Sequence, residues 1–173
     1  MKRAASIFLR ADIRPEDGHN MIRWVKNPNV TQYLNESGGA AEEIRLLLEQ
    51  APVHLLTLRF NQSGQFYLVC DKSDRSIGFT KLCPKGGGQY EVVYAIGEET
   101  LWGRGIGHQA LRLALNKAFF EKRADVVSAK IHPQNHRSVR TALSCGMCAA
   151  QATGKLAVYS VSLGKYLKIA QNP

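Results

Sequence analysis

The stretch from Gln65 to Ala118 constrains this chain most. Three apolar runs, Gln65 to Asp71, Ser76 to Cys83 and Gln89 to Ile96, are separated only by Lys72 to Arg75 and by the glycine cluster Gly86-Gly87-Gly88. Links this short join neighbouring antiparallel strands, because a parallel crossover needs a dozen residues or more. The third run leads to Gly103-Arg104-Gly105-Ile106-Gly107, after which Ile106, Ala110, Leu111, Ala114, Leu115 and Ala118 recur at steps of three and four. That period predicts a helix with its apolar face on the meander, leaving His108, Arg112, Asn116 and Lys117 elsewhere.

The flanking sequence extends this into an α/β pattern. Ser6 to Ala11 reads as a first strand, and Pro15-Glu16-Asp17 opens a helix bearing Met21, Ile22, Trp24 and Val25 that Pro28 stops. A further helix is expected from about Ala40 to Gln50, with Ile44, Leu47 and Leu48 on one face. Val126 to His132 reads as a strand, Asn135 to Cys145 as a helix ended by Gly146, and Leu156 to Leu163 as a late strand before a basic tail. The expected architecture is α/β with a mixed, mostly antiparallel central sheet flanked by helices. With no linker or repeat visible and 45% apolar residues to fill a core, residues 1–173 are expected to form a single domain.

No run approaches the roughly 18 apolar residues of a membrane span. The apolar stretch after Lys2 and Arg3 ends at Arg10, too short for the core of an export signal. A cytoplasmic protein without a membrane partner is expected. Its four cysteines, Cys70, Cys83, Cys145 and Cys148, are too few for a disulfide framework and read as free thiols. Cys145 and Cys148 form a Cys-x-x-Cys pair, but no second pair completes four ligands, and His19, His54, His132 and His136 lack ligand spacing. No metal is expected. The aromatic pair Phe119 and Phe120 reads as core.

Charge divides the chain. Up to Leu101 there are 12 Lys and Arg against 12 Asp and Glu; from Trp102 onward there are 11 against 2, so the formal charge of +9 lies wholly in the second part. This asymmetry fits an anionic partner or a solvated basic face, and charge alone does not separate the two. The glycine turn favours the first. A backbone without Cβ atoms approaches a phosphate closely, and the free N–H groups of a helix start bind anions, so a diphosphate fits here; the alternative is a tight turn and nothing more. The spacing is G-x-G-x-G rather than G-x-G-x-x-G and no Gly-Lys-Ser/Thr follows, which excludes the dinucleotide and nucleotide-triphosphate loops.

These residues resemble a known family. Tyr94-Ala95-Ile96-Gly97 followed by Leu101-Trp102-Gly103-Arg104-Gly105-Ile106-Gly107-His108 is similar to the acetyl-CoA motif of GCN5-related N-acetyltransferases, Gln/Arg-x-x-Gly-x-Gly/Ala, with Trp102 where Gln or Arg is usual. Asn135-x-x-Ser138, then Cys145-Gly146-Met147, resembles the family's Asn-x-x-Ala/Ser helix ending in Gly-Phe. Leu9-Arg10, Glu16-Asp17, Trp24, Asn27-Pro28-Asn29-Val30 and Tyr33 resemble the opening of the ribosomal-protein N-acetyltransferase branch, in which Trp at position 102 is frequent.

The resemblance implies the fold of that family and acetyl-CoA as co-substrate. The strand holding Tyr94, Ala95 and Ile96 would part from its neighbour and offer backbone groups to the pantetheine amides. Trp102, Gly103, Arg104, Gly105, Ile106, Gly107 and His108 would surround the diphosphate, and Asn135 would bind the pantetheine arm. The family's thiolate-protonating Tyr falls at Ala142, which leaves Ser138 as the substitute, or as a cap of its helix. Glu91, three residues before Tyr94, is the candidate base; it would need a raised pKa or a water relay, or else it is a solvent-facing strand residue or a partner for a nearby Arg. The acceptor is an amine: a protein N-terminus, ribosomal or other, a lysine or a small amine. An aminoglycoside or polyamine acetyltransferase, or a non-catalytic basic module binding CoA or RNA, is the alternative. A homodimer is compatible with the resemblance.

Overall fold

The computed structural model describes residues 6–34, 39–151 and 154–171. A seven-stranded sheet runs through it in the order β1-β2-β3-β4-β5-β7-β6. The strands are β1 Phe8–Arg10, β2 Gln65–Cys70, β3 Ser76–Gly86, β4 Gln89–Ile96, β5 Val126–Ile131, β6 Cys148–Ala149 and β7 Ala157–Ser162. Neighbours are antiparallel throughout except β4 and β5, which run parallel. The helices are α1 Pro15–Val25, α2 Pro28–Thr31, α3 Ala40–Gln50, α4 Leu56–Phe60, α5 Ile106–Asn116, α6 His136–Ser144 and α7 Leu163–Gln171. The mixed, mostly antiparallel α/β architecture is the expected one.

Strand β2 shows why the centre of the sheet reads as unbroken apolar runs rather than alternation. Leu68 and Cys70 pack with Met21 and Trp24 of α1 and with Phe79 on one side, while Tyr67 and Val69 pack toward α5 on the other. Both faces are covered, so both must be apolar. Leu68, Leu82, Leu111 and Leu115 are wholly buried, each contributing about 1.5–3 kcal/mol relative to exposure. Arg10 and Asp17, both in the sequence resemblance, form a buried ion pair at 2.7 Å that ties β1 to α1. Asp17 also accepts the Arg14 backbone N–H at 2.9 Å.

Three local expectations are corrected. Pro28 does not simply end a helix: with Asn27 capping the Asn29 N–H at 3.0 Å, it opens α2, where its fixed φ and missing N–H cost nothing. The basic tail is helix α7, held because Tyr166 is buried against Phe119 and its hydroxyl donates to Asn116 Oδ1 at 2.8 Å. After α5 a π-helical turn over Lys117–Glu121 shifts the helical phase, so Phe119 is buried while Phe120 is 58% exposed.

Gly97, just past β4, marks where α1 crosses the sheet. A Cβ there would lie 2.2 Å from the buried Trp24 ring, whose indole N–H donates to Glu98 Oε1 at 3.1 Å. Gly97→Ala should therefore destabilise the protein by about 1–3 kcal/mol, the usual cost of overpacking. Thermal unfolding measures this, and an unchanged midpoint would mean that Trp24 moves freely and does not fix the end of β4.

Candidate active site

The site begins where β4 and β5 stop pairing. They are in register only from Gln89 to Glu91 against Val126 to Ser128, although β4 continues to Ile96 and β5 to Ile131. β5 stays bound to β7 along its whole length and β4 stays bound to β3, so the two halves of the sheet hold the strands apart. A cleft of about 510 Å³ opens between them. Its walls are β4 from Glu91 to Ile96, β5 from Ala129 to Ile131, the turn before α5, and the start of α6, with Asn29, Val30, Tyr33 and Leu34 at one end. Strand backbone without a neighbour offers N–H and C=O groups to whatever enters.

The glycine turn supplies a second wall. Gly103 and Gly105 hold φ of 75° and 77°, left-handed conformations that favour glycine, and Gly105 is the N-cap of α5 without a side-chain cap. A Cβ at Gly103, Gly105 or Gly107 would meet nothing within 4 Å. At Gly107 neither backbone geometry nor protein packing demands glycine, and the space beside it is cleft. Free N–H groups of the 11-residue α5 border that space, so the turn fits an anionic group such as a diphosphate.

Helix α6 forms the opposite wall. Asn135 is its N-cap, with Oδ1 accepting the Ser138 N–H at 3.2 Å. Capping therefore belongs to Asn135 and not to Ser138, whose side chain lies within reach of the Tyr94 hydroxyl. The Tyr94 hydroxyl reaches across from β4 and donates to the Ser138 carbonyl at 3.3 Å; burial pushes the phenol up to about 12 despite that bond.

Glu91 lies at the fork of the two strands. Its carboxylate meets Lys130 Nζ at 3.0 Å and Lys85 Nζ at 3.2 Å. Burial works to raise its pKa, but hydrogen bonds and charge from Lys130 and Lys85 outweigh it and hold the group below the usual carboxylate range. The partners are lysines from β5 and β3 rather than an Arg, and the raised pKa that direct proton removal would need is absent.

Of the residues singled out from sequence, Glu91, Tyr94, Ala95, Ile96, Trp102, Gly103, Gly105, Ile106, Gly107, His108, Asn135 and Ser138 all line the cleft. Arg104 is exposed and outside that lining, which leaves it no side-chain part in the wall. The Ile96 carbonyl already accepts one hydrogen bond, from the Trp102 indole N–H at 2.7 Å. Sequence reasoning missed Lys130 and Arg137, whose guanidinium lies 4.0 Å over the Trp102 ring; His132, set aside for lack of ligand spacing, is outside the lining but stacks on the lining residue Tyr33 at 5.4 Å. These placements depend on pairings between distant segments.

The Cys-x-x-Cys pair lies off the cleft lining. Cys145 is buried with its thiol directed at the His108 carbonyl, 3.7 Å away, and burial pushes it up to about 11; Cys148 is exposed beside Lys165 Nζ at 2.5 Å. Among the described residues no group of three or more His, Cys, Asp or Glu could hold a metal ion, and no helix is long and apolar enough to cross a membrane.

A family profile described as Acetyltransferase (GNAT) domain matches residues 7–148. No curated protein matches the chain. Among solved structures, the fold is similar to an acetyltransferase (GNAT family) from Bacillus anthracis, at 16% identity and a TM-score of 0.74, covering 92% of this chain and 96% of that one. It is similar to spermidine N-acetyltransferase from Vibrio cholerae in complex with CoA and spermine, at 16% identity and a TM-score of 0.74, over 93% and 98% of the two chains. It is also similar to the aminoglycoside acetyltransferase AAC(6')-Ib in complex with coenzyme A and kanamycin, at 12% identity and a TM-score of 0.78, over 95% and 99%.

Proposed function

Given that the chain belongs to the GNAT acetyltransferase family and is an acetyl-CoA-dependent N-acetyltransferase, we propose that it acetylates an α-amine by direct attack within the β4–β5 cleft. The parting of β4 from β5 beside the glycine turn carries this reading: unpaired strand backbone suits the pantetheine amides, and the open N-terminus of α5 suits the diphosphate. Bound there, acetyl-CoA supplies an activated thioester. The residues proposed to hold it are Tyr94, Ala95 and Ile96 on β4, Trp102 to His108 in the turn, and Asn135 through the amide nitrogen that its capping role leaves over. None of the four cysteines, Cys70, Cys83, Cys145 and Cys148, lines the cleft, so no thiol is placed to take the acetyl group, which favours direct transfer.

The chain's own contribution to chemistry is proton handling. Glu91 receives the amine's proton through a water, since its carboxylate stays ionised beside two lysines. The hydroxyl of Ser138 is the donor proposed for the departing thiolate. An alkyl thiolate is a much weaker base than an alkoxide and leaves with little help, so this donor matters less than the base. Ser138→Ala should lower kcat by less than about tenfold with little change in Tm, against the 10²- to 10⁴-fold range of an essential acid or base. A larger loss, measured as steady-state thiol release, would make the Ser138 hydroxyl essential.

Charge and proton affinity select the acceptor class. Glu91 is paired with lysines and Glu98, outside the cleft lining, with Arg23 at 2.5 Å, while Glu99 accepts from the neutral Asn29 amide at 3.0 Å. Among the described residues that line the cleft Glu91 is the one carboxylate, and two lysines already pair with it, so the cleft offers a polycation little negative charge, whereas a peptide N-terminus needs none. The ribosomal-protein branch that the sequence resembles also favours a protein N-terminus. The spermidine and aminoglycoside enzymes of the same fold supply the second reading. Release of free thiol from acetyl-CoA, screened against N-terminal peptides, lysine peptides, spermidine and kanamycin, separates them: turnover of N-terminal peptides is expected, and turnover confined to spermidine or kanamycin would overturn the acceptor assignment.

A further inference from the structure

The family's motif usually begins with Gln or Arg at the position Trp102 occupies, so this chain lacks a polar side chain at the head of its turn. The structure brings one from another element. Arg137, in the first turn of α6, lays its guanidinium 4.0 Å over the Trp102 ring. The ring cannot swing freely, because its indole N–H is held by the Ile96 carbonyl at 2.7 Å and its face packs against the cluster of Phe66, Phe79 and Trp24. Trp102 is thus a fixed platform between β4 and the glycine turn, and Arg137 rests on it from across the cleft.

No carboxylate pairs with Arg137 among the described residues, and its side chain is exposed. Arg137 lines the cleft together with Trp102, Gly103 and Gly105, and a Cβ added at either glycine would meet nothing within 4 Å. A guanidinium over an aromatic face leaves its N–H groups, which lie in its own plane, uncommitted at their edges, and those edges bind phosphate oxygens in pairs. We propose that Arg137, presented by Trp102, grips the diphosphate of acetyl-CoA and replaces from α6 the polar side chain missing at the head of the turn. This rests on the acetyl-CoA reading of the cleft. It also makes Trp102 a specificity residue, since its ring sets where the guanidinium sits.

Calorimetric titration of the whole protein tests the assignment with three ligands: acetyl-CoA, acetyl-dephospho-CoA lacking the 3'-phosphate, and acetyl-pantetheine lacking both phosphate groups, the last by competition. Arg137→Ala should weaken acetyl-CoA and acetyl-dephospho-CoA alike by about tenfold, the scale of one lost charge-assisted contact, and leave acetyl-pantetheine unchanged. Trp102→Leu, which keeps the arginine and removes its platform, should weaken the first two ligands in the same order. An effect of Arg137→Ala that disappears with acetyl-dephospho-CoA would move the contact to the 3'-phosphate and overturn the proposal, as would equal binding by variant and wild type. An equal loss for all three ligands would reduce Arg137 to a structural role. Wild-type protein that binds none of them would instead refute the underlying cleft assignment, a result separable from all of these.

Discussion

Replacing Gly107 with leucine is expected to abolish acetyl-CoA binding while leaving the fold intact. Gly107 is the second residue of α5, lacks the positive φ of Gly103 and Gly105, and has nothing within 4 Å of where a Cβ would stand. Glycine inside a helix is worse than alanine by about 0.5–1 kcal/mol, and leucine is nearly as good as alanine, so the variant should melt no lower than wild type. The new side chain would project from the cleft wall into the space assigned to the diphosphate. Loss of close backbone approach and of the helix-terminal N–H contacts should raise Kd by about 10²-fold or more. Gly105→Val confounds the same question, because valine at φ 77° is strained whether or not a ligand binds. A Gly107→Leu protein that binds acetyl-CoA as wild type does would remove the diphosphate from this turn.

The second large effect is expected at Glu91. For an ordinary carboxylate near 4.3, taking a proton from an α-amine near 7.7 is uphill by about 4.6 kcal/mol, and from a lysine near 10.4 by about 8.3 kcal/mol. Lys130 and Lys85 depress Glu91 further, which widens both gaps. Direct abstraction is therefore the weaker route, and a water between carboxylate and amine lets proton loss and attack proceed together. Glu91→Gln keeps the shape and removes the base, so kcat should fall by about 10²-fold or more with acetyl-CoA affinity nearly unchanged. The acidic limb of kcat/KM should follow the acceptor amine and not a carboxylate, because Glu91 stays ionised well below neutral pH. Lys130→Met is the control: losing one opposing ammonium raises the Glu91 pKa and should preserve activity near neutrality. Retention of more than half the wild-type kcat by Glu91→Gln across the pH range would leave Glu91 outside the mechanism.

Much of the scaffold was legible because short links permit few arrangements. The helix over Ala40–Gln50 and the strand over Gln89–Ile96 have the bounds expected from periodicity and turn residues, and the meander could only be antiparallel. The tail failed as a reading because Lys165 and Lys168 mask one buried residue, Tyr166, whose partners Phe119 and Asn116 lie about fifty positions earlier. The two-residue β6 is too short for any periodicity to show. At the site, glycine spacing announced the turn, and backbone conformation explains two of its three glycines. The pairing of Glu91 was not legible, since Lys130 reaches it only through the parallel register of Glu91 with Ser128. Nor was the stacking of Arg137 on Trp102, which depends on how α6 sits beside the turn.

The central claim is that acetyl-CoA enters between β4 and β5, and amide hydrogen exchange with and without acetyl-CoA tests it most directly. Beyond Glu91 the strand lacks β5 as a neighbour, so its outward amides should exchange readily in the free protein and slow when pantetheine pairs with them. The account predicts protection concentrated in 92–97, in the turn over 103–108 and at the start of α6, with the buried β2 unchanged. Protection confined to other segments, or none at saturating acetyl-CoA, would contradict it.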